Sequence, residues 1–241
     1  MSDETKRIDA FCDAVLSRKL YSNRKNLLNW MTYFFRYSSP QGKAVLDIGG
    51  GPGLTSLYAA TLGARSVCNL EPDLRTKPIF EELASVLGFD NARFDPRTFQ
   101  DFDPGDEKFD LICSHNSVNH LDEDAVVGLP HDPEGLRRYQ LMFTKLTDMA
   151  APGAQLIIAD CTNCNLFASL GLRNPACPSI AWEKHQPPKV WAAMLQDAGW
   201  TEPRIRYTAF NSLGALGRLL MNNPLVNYMT TSHFCLVMRK A

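Results

Sequence analysis

The segment Val45-Leu46-Asp47-Ile48-Gly49-Gly50-Gly51-Pro52-Gly53 limits what this chain can fold into more than any other. An apolar run holding one carboxylate ends in four glycines around a proline, and a helical pattern follows from Leu54 to Leu62. A strand that stops in such a loop lets a ligand approach bare backbone, because glycine takes positive φ and has no side chain in the way. The next helix aims its unpaired N-terminal N–H groups at the same place. A dinucleotide fold spaces its glycines G-x-G-x-x-G, so that a pyrophosphate rests on the helix end. Here the spacing is Gly49-x-Gly51-x-Gly53, with Asp47 two residues ahead. A carboxylate there repels a pyrophosphate and suits a ligand that carries an ammonium. The alternative is a glycine-rich turn without a ligand.

Gly63 closes the helix as its C-cap. Ser66-Val67-Cys68-Asn69-Leu70-Glu71 then reads as a second strand, closed by Pro72-Asp73. Glu71 lies 18 residues beyond Gly53. In a βαβ unit that spacing puts an acid at the tip of the neighbouring strand, where a carboxylate accepts from both hydroxyls of a ribose. Alone, Glu71 reads as a solvated loop residue; paired with the glycine loop, the ligand reading is stronger. The combination resembles motif I of the class I methyltransferases that use S-adenosylmethionine. The resemblance makes Asp47, Gly49, Gly51, Gly53, Glu71 and Pro72 cofactor-binding, with Glu71 on the ribose. Related enzymes carry an acid after the third strand for the adenine amino group. Asp95 or Asp101 fills that place here, and Asp95 is preferred because it directly follows a short apolar stretch.

Strand and helix patterns alternate along the chain, which argues for a parallel sheet with helices on both faces. Two apolar stripes precede the first strand: Ile8, Phe11, Cys12 and Val15, then Leu27, Leu28, Met31, Phe34 and Phe35. Further strands are expected near 92–94, 109–114, 155–160, 204–210 and 232–238. The order resembles the class I methyltransferase fold over residues 42–240. That fold is α/β, a Rossmann-like doubly wound seven-stranded sheet with the last strand antiparallel. The expected organisation is a single domain, 1–241. It comprises an N-terminal helical lid (1–40), a cofactor-binding core (42–160) and two substrate-covering insertions (161–186 and 211–231).

A formal net charge of −1 over 241 residues gives no global pull on nucleic acid, so no nucleic-acid partner is expected. The charged start Met1-Ser2-Asp3-Glu4-Thr5-Lys6-Arg7 lacks the apolar core of a signal peptide. No run approaches the ~18 apolar residues of a membrane span, so the expected compartment is the cytoplasm. Seven cysteines in that setting imply reduced thiols. Cys161-Thr162-Asn163-Cys164 is a CxxC with Cys177 and His185 further on, but the second pair that zinc requires is missing. Buried or pocket-lining thiols are expected, and no metal.

Open α/β sheets bind ligands at the carboxyl ends of their strands. The lid and insertions contain Tyr21, Trp30, Phe34, Phe167, Trp182 and Met221, a composition for enclosing a small, partly apolar molecule; ordinary helix packing is the alternative. Tyr21, His115 and Trp182 are the expected substrate contacts. The loop His115-Asn116-Ser117-Val118-Asn119-His120-Leu121 lacks the N/D/S-P-P-aromatic motif of enzymes that methylate exocyclic base amines. It is similar to the segment ending in His-Leu of many small-molecule methyltransferases, in which Asn116 and Ser117 lie alongside the cofactor. Histidine is the side chain best suited to proton transfer near neutral pH. His185, two residues from Glu183, and His120, at a helix start, are the candidate bases; His233 reads as a strand residue far from the chemistry. The resemblance implies methyl transfer from S-adenosylmethionine to oxygen or nitrogen of a small-molecule acceptor. The rivals are a protein or RNA methyltransferase and a non-catalytic binding subunit. Nothing in the sequence specifies an oligomeric state.

Overall fold

The structure is a computed structural model and describes residues 2–129, 131–175, 180–208, 210 and 213–241, apart from the side chains of 215 and 218. Cys177 and Asn211 lie outside the described residues. Two helices come first, α1 (Asp3–Ser17) and α2 (Arg24–Phe34). Then follow β1 (Ala44–Ile48), α3 (Leu54–Thr61), β2 (Ser66–Leu70), α4 (Lys77–Leu87), β3 (Ala92–Asp95) and β4 (Phe109–His115). Next are a 3-10 turn Val118–His120, α5 (Glu123–Gly128), α6 (Pro133–Met149), β5 (Ala150–Cys161) and α7 (Leu166–Ser169). The chain ends with a 3-10 turn Trp182–Lys184, α8 (Pro188–Asp197), β6 (Trp200–Tyr207), α9 (Gly214–Met221), α10 (Pro224–Met229) and β7 (His233–Lys240).

The seven strands form one sheet in the order β3-β2-β1-β4-β5-β7-β6. β1 pairs in parallel with β2 and β4, β2 pairs in parallel with β3, and β7 runs antiparallel to β6. This is the α/β class and strand number expected. All five residues of β1 are buried, so the strand reads as a nearly continuous apolar run, as central parallel strands do.

Three elements depart from the sequence reading. The helix start expected at His120 is a 3-10 turn, and α5 is a separate short helix started by Asp122, whose carboxylate accepts from the Ala125 N–H at 3.1 Å. β5 begins at Ala150 rather than near Gln155 and includes Pro152, a residue that hides a strand because it cannot donate to the ladder. β6 begins at Trp200 rather than near Arg204. Its register against β7 shifts between Thr201 and Arg204, with Glu202 at φ 53°, and this bulge breaks the alternation that marks a strand.

The chain divides into two compact units: 1–115 with 149–155, and 116–148 with 156–241. In the first, α1 packs on α3 and α4. Arg18 pairs with Glu82 at 2.6 Å, and Arg24 ties α2 back to Asp9 and Asp13 of α1. In the second, α8 packs on β6 and β7. There Trp191 is fully buried against Tyr139 and Phe143, with ring centroids 5.1 and 5.9 Å away. Among the described residues, no helix is long and apolar enough to cross a membrane.

Gly53 enters α3 at φ +83°, and a Cβ there would stand 2.3 Å from Phe80 Cδ2 of α4. Gly53→Ala therefore meets both left-handed backbone strain and overpacking, a combined loss of about 2–4 kcal/mol. The expected result is a lower urea midpoint at unchanged slope; an unchanged midpoint would show that Phe80 gives way freely.

Candidate functional site

The turn after β1 is built from three left-handed glycines, Gly49, Gly51 and Gly53, at φ +67°, +55° and +83°. Gly49 N–H donates to Leu70 O of β2 at 2.8 Å, and Gly53 N–H closes the turn on Gly50 O at 2.9 Å. Gly50 has no room for a side chain, because a Cβ there would fall 1.9 Å from Asn69 Oδ1 and 2.7 Å from Asp47 Oδ2. Above Gly51, by contrast, a Cβ would meet nothing within 4 Å among the described residues. The turn is therefore packed from beneath and open above.

Asp47 lies under this turn, only 1% exposed. Its Oδ2 accepts from Ser56 Oγ of α3 at 2.7 Å, and Oδ1 has no partner among the described residues. Burial drives the carboxyl pKa up to about 6; the Ser56 hydrogen bonds oppose the rise and the nearby Glu71 charge adds to it. Ser56 Oγ also lies 2.9 Å from Asn69 Oδ1, and Asn69 Nδ2 donates to Gly51 O at 3.0 Å. Ser56 and Asn69 were missed in the sequence, where the only signal is a lone carboxamide in the otherwise apolar β2.

Glu71 follows β2 directly. One carboxylate oxygen accepts from Gly51 N–H at 2.9 Å and the other from Asp73 N–H at 2.8 Å. The acid is thus locked to the glycine turn, and each oxygen keeps a further lone pair for a donor. Pro72 beside it is exposed. Asp95 ends β3, and its carbonyl accepts from Glu71 N–H at 2.9 Å. Its carboxylate is gripped by Arg97, Nε at 2.9 Å and Nη2 at 2.6 Å, which holds its pKa below the usual carboxylate range. Asp101 accepts instead from Thr98 Oγ1 at 2.7 Å.

His115 ends β4 against two aromatic rings of α2, with centroids 4.6 Å from Trp30 and 6.0 Å from Phe34. Tyr21, between α1 and α2, stacks on Trp30 with planes 2° apart and lines a depression of ≈ 710 Å³. These contacts all lie within the first unit.

The second unit gathers a separate set. Asn116 takes φ +52°, a region that asparagine tolerates better than most residues. Its N–H donates to Ala159 O of β5 at 2.8 Å, and its Oδ1 lies 3.1 Å from His233 Nε2. His233 therefore sits at the start of β7 beside a residue assigned to the cofactor, and burial lowers its pKa. Ser117 is buried and its carbonyl accepts from His120 N–H at 2.9 Å. His120 is exposed; its Nδ1 meets Glu123 Oε1 at 2.8 Å, and Glu123 Oε2 accepts from Lys184 Nζ at 2.5 Å. His185 is 7% exposed, and its Nδ1 lies 2.9 Å from Asn119 Nδ2 and 3.5 Å from Asp160 Oδ1. The carboxylate beside His185 is therefore Asp160 of β5 rather than the sequence neighbour Glu183. Trp182 is half-buried, and its carbonyl accepts from His185 N–H at 3.1 Å. Asn119 and Asp160 were also missed; Asp160 has the same signal as Asp47, an acid in an apolar strand.

Cys161 is half-buried and Cys164 exposed. Among the described residues, no group of three or more His, Cys, Asp or Glu side chains could hold a metal ion.

The sequence matches a family described as a methyltransferase domain over residues 18–223. Similar solved structures include a SAM dependent methyltransferase from Aquifex aeolicus, 15% identical, with all of both chains covered and a TM-score of 0.63. Coclaurine N-methyltransferase bound to N-methylheliamine and SAH is 15% identical, with 89% of this chain and 72% of that chain covered and a TM-score of 0.59. A ribosomal protein L11 methylase from Lactobacillus delbrueckii subsp. bulgaricus is 16% identical, with 88% and 77% covered and a TM-score of 0.52. At these identities the likeness carries the fold. No curated protein matches the sequence.

The raised pKa of Asp47 makes a prediction about stability. An acid whose folded pKa of about 6 exceeds its ordinary value of 3.8 binds more protons folded than unfolded between those values. Its contribution to stability therefore falls as pH rises from about 4 to about 6, by about 3 kcal/mol in all, and is flat above. Asp47→Asn removes this component. The difference in unfolding free energy, Asp47→Asn minus wild type, should grow across that window; a constant difference would mean that Asp47 titrates normally.

Proposed function

The chain belongs to the class I S-adenosylmethionine-dependent methyltransferases, and we propose that it methylates an oxygen or nitrogen of a small molecule. The observation that carries this reading is His185: a buried imidazole whose Nδ1 edge faces a carboxamide and a buried carboxylate. That environment suits a group that takes a proton from an acceptor hydroxyl, carboxyl or ammonium. His120 is the weaker candidate, since it is exposed and tied into a surface chain with Glu123 and Lys184.

The residues around the glycine turn fit the cofactor. The open side of Gly51 leaves room for a ligand against backbone. Glu71 offers two carboxylate oxygens, already oriented by backbone N–H groups, to the two ribose hydroxyls. Asp47, with one oxygen unpartnered among the described residues, supplies negative charge under the turn for a ligand that carries an ammonium. Asp95, its carboxylate fixed by Arg97, is assigned to the adenine end. Asn116 and Ser117 are assigned to the same ligand, and Tyr21, His115 and Trp182 to the acceptor, on the resemblance.

S-adenosylmethionine supplies a methyl group already activated on a sulfonium. The protein is left to align the acceptor and keep water out, and alignment is worth about 7–11 kcal/mol of barrier. A base adds about 10²–10⁴-fold. His185 takes the proton of a hydroxyl or ammonium; a neutral amine needs no such help. The near-neutral charge of the chain favours a small acceptor over RNA.

Three measurements test this. With phenols, carboxylic acids and amines as acceptors, S-adenosylhomocysteine should form in the presence of a small molecule; turnover with protein or RNA alone would overturn the acceptor class. His185→Ala should lower turnover about 10²–10⁴-fold with cofactor affinity preserved, and an unchanged rate would remove the residue from the chemistry. By calorimetry, Asp47→Ala and Gly51→Val should abolish S-adenosylmethionine binding, and normal affinity in both would refute the assignment of the turn.

A further inference from the structure

Asp160 stands at the end of β5, 1% exposed. Its Oδ1 accepts from Cys161 N–H at 2.7 Å and lies 3.5 Å from His185 Nδ1. Its Oδ2 has no partner among the described residues, and neither has Oδ1 of the fully buried Asn119. Two acceptor-bearing side chains, Asn119 and Asp160, thus converge on one edge of one imidazole, and the position of a single proton decides whether they attract or repel.

With Asn119 Nδ2 donating to Nδ1, the neutral ring carries its proton on Nε2. The Nδ1 lone pair then faces the Asp160 carboxylate at 3.5 Å, and Nε2 has no lone pair with which to act as a base. A carboxamide has the same shape after a half-turn, so its orientation is fixed by the network around it rather than by outline. Turned over, Asn119 Oδ1 accepts from Nδ1–H, and the same N–H faces Asp160. The carboxylate decides between the two, because at low local dielectric it strongly favours a proton on the near nitrogen. Nε2 is then left with its lone pair.

We propose that Asp160 is the positioning residue for His185: from the end of β5 it holds the ring's proton on Nδ1 and so leaves Nε2 basic. This rests on the reading of His185 as the base. On this proposal Asp160, 1% exposed, acts through the ring rather than on the acceptor. The other titratable groups around His185 are His120, edge-on at a centroid distance of 6.3 Å and backed by Glu123, its chain neighbour Lys184, which is paired with Glu123, and His233 of β7. Lys184 and Glu123 neutralise one another, and burial favours the neutral form of His233, so the Asp160 charge is the one left to act on the ring.

The test reads the ring directly. Long-range ¹⁵N–¹H correlation spectra of the full chain report the tautomer and titration of each of its five histidines, with His185→Gln assigning the cross-peaks. At neutral pH, wild-type His185 should carry its proton on Nδ1; a proton on Nε2 overturns the proposal without any variant. In Asp160→Asn the Nδ1–H form should lose its dominance and the ring should titrate at least one pH unit lower. An unchanged tautomer and titration also overturn it. In turnover, Asp160→Asn should lower kcat about 10²–10⁴-fold and move the acidic limb of the pH profile to lower pH, with the cofactor Kd unchanged. Should His185→Ala leave turnover intact while Asp160→Asn still shifts the ring, the base assignment fails and the positioning role stands.

Discussion

A carboxylate 1% exposed beneath a turn of glycines is held by one hydroxyl, Ser56 Oγ. Burying such a group is costly unless it is paired or neutralised, and here both happen in part: the hydroxyl binds one oxygen and the pKa rises to about 6. The turn above depends on this contact. Asn69, next to the same hydroxyl, holds Gly51 O, and Gly51 N–H holds Glu71. One buried acid thereby connects β1, α3 and β2 to the backbone that meets the ligand. Gly50 is glycine because this cluster already fills the space of a side chain.

The same device recurs at the ends of other strands with different partners. Asp47 meets a hydroxyl, Glu71 two backbone N–H groups, Asp95 a guanidinium and Asp160 an imidazole. The partner sets the behaviour of each acid. Burial, only partly offset by the hydroxyl, leaves Asp47 easily protonated, whereas the guanidinium holds Asp95 below the usual carboxylate range. The imidazole gives Asp160 something to orient. Position on the strand alone distinguishes none of these.

That is also why the sequence was legible only so far. The glycine turn, the acid after β2 and the strand count could be read because apolar runs, glycine spacing and a fixed βαβ distance are local in sequence. The clasp of Glu71 on Gly51 follows from the same spacing. Arg97 on Asp95, Ser56 and Asn69 under the turn, and Asn119 with Asp160 around His185 required three-dimensional neighbours that no periodicity reports. His233 is the sharpest case: it reads as an ordinary strand residue, yet the sheet order brings it to Asn116, 117 residues away in the chain. The late start expected for β6 has a different origin, a bulge with Glu202 in the left-handed region that masks its first turn of alternation.

The two segments expected as insertions are fastened to one another. Asn165 Nδ2 donates to Thr230 O and Ser232 Oγ, Asn174 Nδ2 to Thr230 O, and Tyr228 OH to Ser169 Oγ, while Thr162 N–H donates to Ser232 O. Asn165 and Asn174 are almost wholly buried, so severing the connection would take hydrogen bonds from carboxamides that water cannot readily reach. Anyone re-engineering acceptor preference would have to transplant both segments together. A chimaera carrying one foreign half would inherit unsatisfied donors before it inherited a new specificity.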